Sequence, residues 1–334
     1  MDHKLADRAS ASTPGGDAWS HRRVTHPPEP FWKRRGAAVL DGGLASELEA
    51  RGLVLDDPLW SARALIEAPE TIAAVHRDYL EAGADVVSTA TYQASIPGLA
   101  ARGLSMREAQ DVLASGVALA RRERDAFWDR RPAGGARARP LVAASIGSYG
   151  AFLADGSEYR GDYDIDANAL AAWHRPRLRL LEASGADLLA VETIPSIVEA
   201  AAIVLLLAES DGPPAWVSFQ ARDDTSLADG APVESAVALC ERSRRVVAVG
   251  VNCVAPRLVD PLLARCARAT AKPLVAYPNR GGTWDAASKR WIDGDAAIAW
   301  DRLAPAWRDA GARLIGGCCR TTPADIRAIA TSLE

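Results

Sequence analysis

Two hydrophobic patterns alternate along this chain. Short runs rich in Val, Ile, Leu and Ala, apolar on both faces, recur from Ala37 onward. They lie at 37–41 (AAVLD), 85–90 (DVVSTA), 141–146 (LVAASI), 187–192 (DLLAVE), 215–220 (AWVSFQ), 246–251 (VVAVGV), 273–277 (PLVAY) and 312–316 (ARLIG). Such runs fit strands covered on both sides, as in a parallel sheet. Helical periods fill the intervals. Over Pro69 to Ala82, residues Ile72, Val75, Tyr79 and Leu80 share one face. Pro69 suits the first helical turn, and Gly83 suits the position just past the last. The cadences EAGAD (81–85), EASGAD (182–187) and DAGAR (309–313) each place a glycine between a helix and the next apolar run. A left-handed glycine stops a helix in this way.

Eight β-then-α units predict an α/β fold, a (β/α)8 TIM-type barrel, as a single domain over residues 37–334. A doubly wound open sheet alternates in the same way, but no G-x-G-x-x-G follows the first run. Residues 1–36 are polar, lack an apolar period and contain HPPEP, so they read as a disordered N-terminal tail. Residues 129–140 read as a surface loop. Residues 147–168 form a longer insertion, with tyrosines in a Gly/Asp-rich setting that suits a functional loop.

Composition removes several function classes. The 334 residues include 39 basic and 43 acidic side chains, and 49% are apolar. That excludes a mostly disordered chain and offers no basic footprint for nucleic acid. The longest aliphatic stretch, Ala200 to Ala208, is far short of the roughly 20 residues of a membrane span. The first 35 residues hold no apolar signal core. The expectation is a cytoplasmic protein with small-molecule partners, bound to neither nucleic acid nor membrane. Five cysteines, two of them adjacent, make a poor disulfide framework and point to metal binding or catalysis.

Barrel enzymes carry their chemistry at the C-terminal ends of the strands. Those ends hold Asp41-Gly42-Gly43, Tyr92-Gln93, Tyr149, Glu192, Asn252-Cys253, Tyr277 and Cys318-Cys319. Three thiols from the sixth and eighth runs match a zinc site that keeps one position open. Gly316 and Gly317 are expected to turn the backbone so that the adjacent sulfurs face one point. Spacing alone leaves a redox pair or inert core thiols open as well. Cys240 and Cys266 lie in helical patterns and read as core. His76 and His174 read as surface or packing residues, so a histidine-based zinc site is not expected. Asp41 also fits a helix cap, Glu192 a buried structural carboxylate, and the tyrosines rim packing.

The motifs LDGGLASELEARG (40–52), TATYQAS (89–95), GSYGAFLADGSEYRGDY (147–163), VETIPSIVEA (191–200), VGVNC (249–253), YPNRGGTWD (277–285) and IGGCCRTTPADI (315–326) resemble the homocysteine S-methyltransferase family over about residues 37–332. The resemblance implies a zinc-dependent barrel that makes methionine from homocysteine. It points to the branch using S-methylmethionine or S-adenosylmethionine as donor. By motif, Cys253, Cys318 and Cys319 correspond to the zinc ligands. Asp41, Gly42 and Glu192 correspond to positions holding the amino-acid end of homocysteine, with backbone N–H groups around Gly42 and Gly43 for its carboxylate. Tyr92, Gln93 and Tyr149 correspond to the donor rim. Asn252 and Tyr277, at strand ends, are further candidates for substrate contact. The zinc-bound substrate thiolate is the expected nucleophile, with no separate catalytic side chain. One loop departs from the family: relatives usually read YPNSGE-x-YD, whereas Arg280 and Gly282 here change its charge. Other readings are a related enzyme with a betaine-like donor or a selenol acceptor, a thiol redox or zinc-sensing protein, and a non-catalytic barrel.

Overall fold

The computed structural model describes residues 34–55, 57, 59, 61–132, 137–285, 290–292 and 297–334. The expected tail lies outside the described residues as far as Lys33. Arg34 and Arg35, its last side chains, are placed against the domain. Arg35 is buried and donates to Glu334 at 2.9 Å.

Among the described residues there are ten strands: β1 (Ala38–Val39), β2 (Val86–Ser88), β3 (Leu141–Ile146), β4 (Leu188–Ile194), β5 (Ala215–Phe219), β6 (Val246–Asn252), β7 (Leu274–Tyr277), β8 (Thr283–Asp285), β9 (Arg290–Ile292) and β10 (Ala312–Ile315). Eight form one parallel sheet in the order β1-β10-β7-β6-β5-β4-β3-β2. A parallel bridge between Leu40 and Val86 joins the two ends. The sheet is therefore a near-closed TIM-type barrel, and each predicted run supplies one of its strands. The β8–β9 hairpin, which the hydrophobic pattern did not signal, is antiparallel and stands apart.

Alternation along the strands divides the core into two layers. Val39, Val87, Val142, Val191, Val217 and Val249 face the helices. Ala38, Leu40, Ala143, Ala190, Trp216, Val275 and Tyr277 fill the barrel interior. In the inner layer Ala38, Ala143, Ala190 and Ala248 leave room for the rings of Trp216 and Tyr277.

The helix Pro69–Ala82 has the predicted limits, and Gly83 ends it at φ +114°. Gly185 and Gly311, in the other two cadences, are also left-handed, at +84° and +106°. The first turn of β-strand therefore begins where a glycine releases each helix. Among the described residues no helix is long and apolar enough to cross a membrane.

Candidate active site

At the C-terminal end of the barrel a cavity of about 430 Å³ opens between β1, β2, β4, β6 and β10. Asp41, Gly42, Gly43, Tyr92, Gln93, Glu192, Cys253, Tyr277, Cys318 and Cys319 all line it. The chain separates Cys253 from the cysteine pair by 65 residues, yet strands β6 and β10 flank β7 and end side by side.

The three sulfurs lie within 4.8 Å of one another, and those of Cys253 and Cys319 are 3.5 Å apart. Ligands about 2.3 Å from a tetrahedral zinc sit about 3.8 Å from each other. The trio fits such an ion, and its other elements hold it firmly. Cys253 adopts φ +54°, an uncommon conformation for a residue with a Cβ. Asn279 Nδ2 donates to its carbonyl at 2.9 Å, and its own N–H donates to the Tyr277 carbonyl at 3.1 Å. Hydrogen bonds from the Cys318 and Cys319 thiols hold the Cys253 thiol well below its ordinary pKa, and the Tyr159 hydroxyl adds another at 3.3 Å. Cys318 and Cys319 are pushed up, because their protons serve the Cys253 sulfur and a second charge would lie beside the first.

Gly316 and Gly317 do not act as expected. Neither has a positive φ; the left-handed residue of this turn is Arg320, at +67°. Gly317 is required by space: a Cβ there would lie 2.2 Å from Thr321 Oγ1. Gly43 is equally confined, since a Cβ would lie 2.8 Å from the Cys318 carbonyl. The Gly43 N–H donates to Thr321 O and Oγ1, each at 3.1 Å, so it is not free for a substrate carboxylate. Among the described residues no group accepts the Gly42 N–H.

Asp41 and Glu192 face the cavity without a basic partner among the described residues. Asp41 Oδ2 accepts the Ser88 N–H at 2.7 Å. Burial, with Glu192 nearby, raises its pKa to about 8. Glu192 accepts hydrogen bonds from the Ser145 hydroxyl and, at 3.0 Å, from Tyr277. Burial lifts it to about 7 despite those bonds. The Tyr277 hydroxyl is itself held by Trp216 Nε1 at 3.0 Å and Ser218 at 2.5 Å, so the barrel interior aims it. Tyr277 thus reaches the site through Glu192 as well as lining it.

Two expected contacts are placed elsewhere. Asn252 is fully buried and does not line the cavity; it accepts the Thr193 N–H at 2.8 Å and donates to Thr193 Oγ1 at 2.7 Å. Tyr149 points away, into a cluster with Phe152, Tyr163 and Trp173. Its place is taken by Glu158 and Tyr159, in the short turn Ser157–Tyr159 of the insertion. Burial raises Glu158 to about 7, and its Oε2 has no hydrogen-bond partner among the described residues. The insertion was legible as a functional loop, but nothing local distinguishes its tyrosines.

The β8–β9 hairpin brings Trp284 and Trp291 to the cavity wall, their rings 5.7 Å apart. Arg280, which precedes it, does not line the cavity. It pairs with Asp325 at 2.7 Å, so its charge is directed to the far side of the loop. Gln93 lines the wall with Nε2 donating to Ala151 O at 2.9 Å and Oε1 unpaired. Cys240 and Cys266 are fully buried core thiols. His76 and His174 are buried too, at 1% exposure each, so neither is a surface residue.

A family model described as homocysteine S-methyltransferase matches residues 38–333. The chain is 47% identical to homocysteine S-methyltransferase 1 of Brassica oleracea var. italica, over 90% of this chain and 94% of that one. It is 46% identical to homocysteine S-methyltransferase YbgG of Bacillus subtilis (strain 168), over 87% and 93%. Its fold superposes on the metallated form of the homocysteine methyltransferase MmuM from Escherichia coli with a TM-score of 0.82, at 44% identity, over 93% of this chain and 99% of that chain.

Proposed function

The chain belongs to the homocysteine S-methyltransferase family, and from that premise we propose that it methylates homocysteine at a zinc site made by Cys253, Cys318 and Cys319, with a sulfonium compound, S-methylmethionine or S-adenosylmethionine, as donor. One observation carries the reading. A trio of thiols and a pair of carboxylates lacking basic partners share one cavity. Few other reactions need a metal-competent sulfur cluster and an ammonium receptor side by side.

Zinc bound to the three cysteines would keep the substrate sulfur as thiolate at neutral pH, where a free thiol of pKa near 8.5 is only a few per cent ionised. The side chains do the rest. Asp41 and Glu192 receive the homocysteine ammonium. The free N–H of Gly42 suits its carboxylate, whereas that of Gly43 is occupied. Methyl transfer is an in-line displacement: the C–S bond of the sulfonium breaks, the methyl group joins the homocysteine sulfur, and the donor leaves as a neutral thioether. No proton moves at the reacting carbon, so alignment is the main demand.

The donor's positive charge suits the upper wall. Trp284, Trp291, Tyr159 and Tyr92 offer aromatic faces, which attract cations. Glu158 Oε2, without a hydrogen-bond partner among the described residues, adds an acceptor that a cation can favour in its ionised form. Gln93, with its free Oε1, can accept from the donor's ammonium. Arg280 is tied to Asp325 and does not oppose a cation there. Asn252 holds Thr193 and its Nδ2 also approaches the Cys318 sulfur at 3.9 Å, and Tyr149 belongs to the loop's support.

The test is metal content and turnover on the same reduced samples, for the native protein and Cys253→Ala. About one zinc per chain, with methionine formed from homocysteine and S-methylmethionine or S-adenosylmethionine, both lost in the variant, is the expected result. Zinc without turnover on either donor overturns the donor assignment. No zinc in the native protein overturns the metal site.

A further inference from the structure

Beneath the insertion lies a group of buried charged residues that the reaction itself does not use. Glu199, on the helix Ile197–Ala208, is fully buried. Its Oε1 accepts the Tyr149 N–H at 2.6 Å and meets His174 Nε2 at 2.7 Å. Its Oε2 accepts the Tyr163 hydroxyl. Tyr149 begins the insertion and Tyr163 closes it. One carboxylate therefore holds both stems of the loop.

His174 passes the contact on. Arg177 Nη2 lies 3.1 Å from His174 Nδ1, and a guanidinium can only donate. Nδ1 is then the acceptor, so Nε2 carries the proton toward Glu199. Burial lowers the His174 pKa, which keeps the ring neutral. Arg177 also donates to Gly147 O at 2.6 Å and to Tyr92 O at 3.3 Å. Gly147 is where β3 runs into the insertion, and Tyr92 lines the cavity.

We propose that Glu199 is a positioning residue: with His174 and Arg177 it clamps the two stems of residues 149–163 and so holds Glu158 and Tyr159 over the cysteine trio. Three features carry this. The clamp spans both stems, it is buried where water cannot substitute, and the segment it holds has no strand pairing of its own. Between the stems, the left-handed Ala154 (φ +56°), Gly156 (+85°) and Gly161 (+67°) permit the tight path that brings the Ser157–Tyr159 turn down to Cys253. The Gly161 N–H closes that turn on Ser157 O at 2.7 Å. Between the stems its tethers to the barrel include Gln93 Nε2 to Ala151 O at 2.9 Å and Tyr159 to Cys253 Sγ at 3.3 Å, so the course of the loop depends on where the stems are fixed.

The consequence for catalysis rests on the methyl-transfer reading; the consequence for loop order does not. Two variants test it, Glu199→Gln and Tyr163→Phe, the second removing one hydroxyl while keeping the ring. Amide hydrogen exchange over residues 154–161, donor KM and kcat, and zinc content are measured on each. Exchange there should quicken about tenfold or more in Glu199→Gln, and less in Tyr163→Phe. The KM for the sulfonium donor, whose wall Glu158 and Tyr159 form, should rise about tenfold in the first variant, with zinc content unchanged. If Glu199→Gln does not fold, Tyr163→Phe carries the test. Unchanged exchange in the loop, or quicker exchange with unchanged KM, overturns the proposal. A native protein that exchanges as expected but transfers no methyl group would sink the methyl-transfer reading, and the exchange data would then decide the clamp alone.

Discussion

The two ends of the barrel use the same device with opposite completion. At the N-terminal end, Asp85 Oδ2 accepts the Val39 N–H at 3.0 Å and Asp187 Oδ2 accepts the Val142 N–H at 2.8 Å. Arginines complete both: Arg35 and Arg137 each lie 3.6 Å from Asp85, and Arg124 lies 2.8 Å from Asp187. At the C-terminal end, Asp41 accepts the Ser88 N–H in the same manner, and among the described residues no arginine pairs with it. The backbone differs too. Left-handed positions between helix and strand at the N-terminal end are glycines, Gly83, Gly185 and Gly311, whereas those at the cavity end include Thr193, Cys253 and Arg320. A glycine serves where only a turn is needed. A strained residue is kept where its side chain is needed. One end pairs its carboxylates with arginines, although Arg35 Nη1 and Arg137 Nε make no hydrogen bond there, and the other leaves two carboxyl groups and a sulfur cluster for a substrate to complete.

This contrast can be broken most directly at Glu192. Glu192→Gln keeps the side chain's shape and one acceptor oxygen for Tyr277 or Ser145 but removes the charge offered to an ammonium. Losing a charged hydrogen bond of about 1.5–3 kcal/mol should raise homocysteine KM roughly ten- to hundredfold, with kcat less affected. Steady-state kinetics against homocysteine decide it, and an unchanged KM removes Glu192 from the ammonium site.

A proton should compete with the substrate at the same end. With native pKa values of about 8 for Asp41 and about 7 for Glu192, the free site holds protons near neutrality. An ammonium favours the ionised forms, so binding releases protons and affinity for homocysteine should rise from pH 6 to 8, by about tenfold from Glu192 alone and further as Asp41 ionises. Calorimetry in buffers of different ionisation enthalpy measures the release. The sign for stability is opposite. Asp41 has a native pKa above its ordinary 3.8, so its contribution to the free protein is full below pH 4 and is lost as pH rises to about 8.

The smallest effect on activity is expected at the other end. Gly83→Ala puts a Cβ 2.8 Å from Ala330 Cβ, at φ +114°. The left-handed conformation alone should cost about 1–2 kcal/mol of stability. Thermal unfolding should show that loss while KM stays unchanged, because the cavity lies across the barrel. A KM shift as large as that of Glu192→Gln would mean that the two ends are coupled.

Much of this molecule was readable before it folded. Strand positions follow from apolar runs, and helix ends follow from glycines, because both signals act within a few residues. The cysteines, Asp41 and Glu192 were readable as a candidate set because strand ends in a barrel converge. The loops were less legible. Tyr149 and Tyr159 lie in one insertion with similar local surroundings, yet Tyr149 packs against Trp173 while Tyr159 reaches Cys253. Arg280 reads as a charge added to the cavity until Asp325, 45 residues later, draws it away. His174 reads as a packing residue, and its link to Glu199 is visible only when two helices lie together.

The sequence by itself determined the barrel, its strand order in outline and the cysteines, because hydrophobic period and turn chemistry are local and a closed parallel sheet brings strand ends together. Tertiary structure alone decided which loop residues enter the cavity, which glycine N–H stays free and which carboxylates lack a cation. Those outcomes depend on partners far apart in the chain, such as Thr321 for Gly43 and Glu199 for both stems of the insertion. Hydrogen bonds and ion pairs act over a few ångströms of space, and only the folded backbone sets that distance.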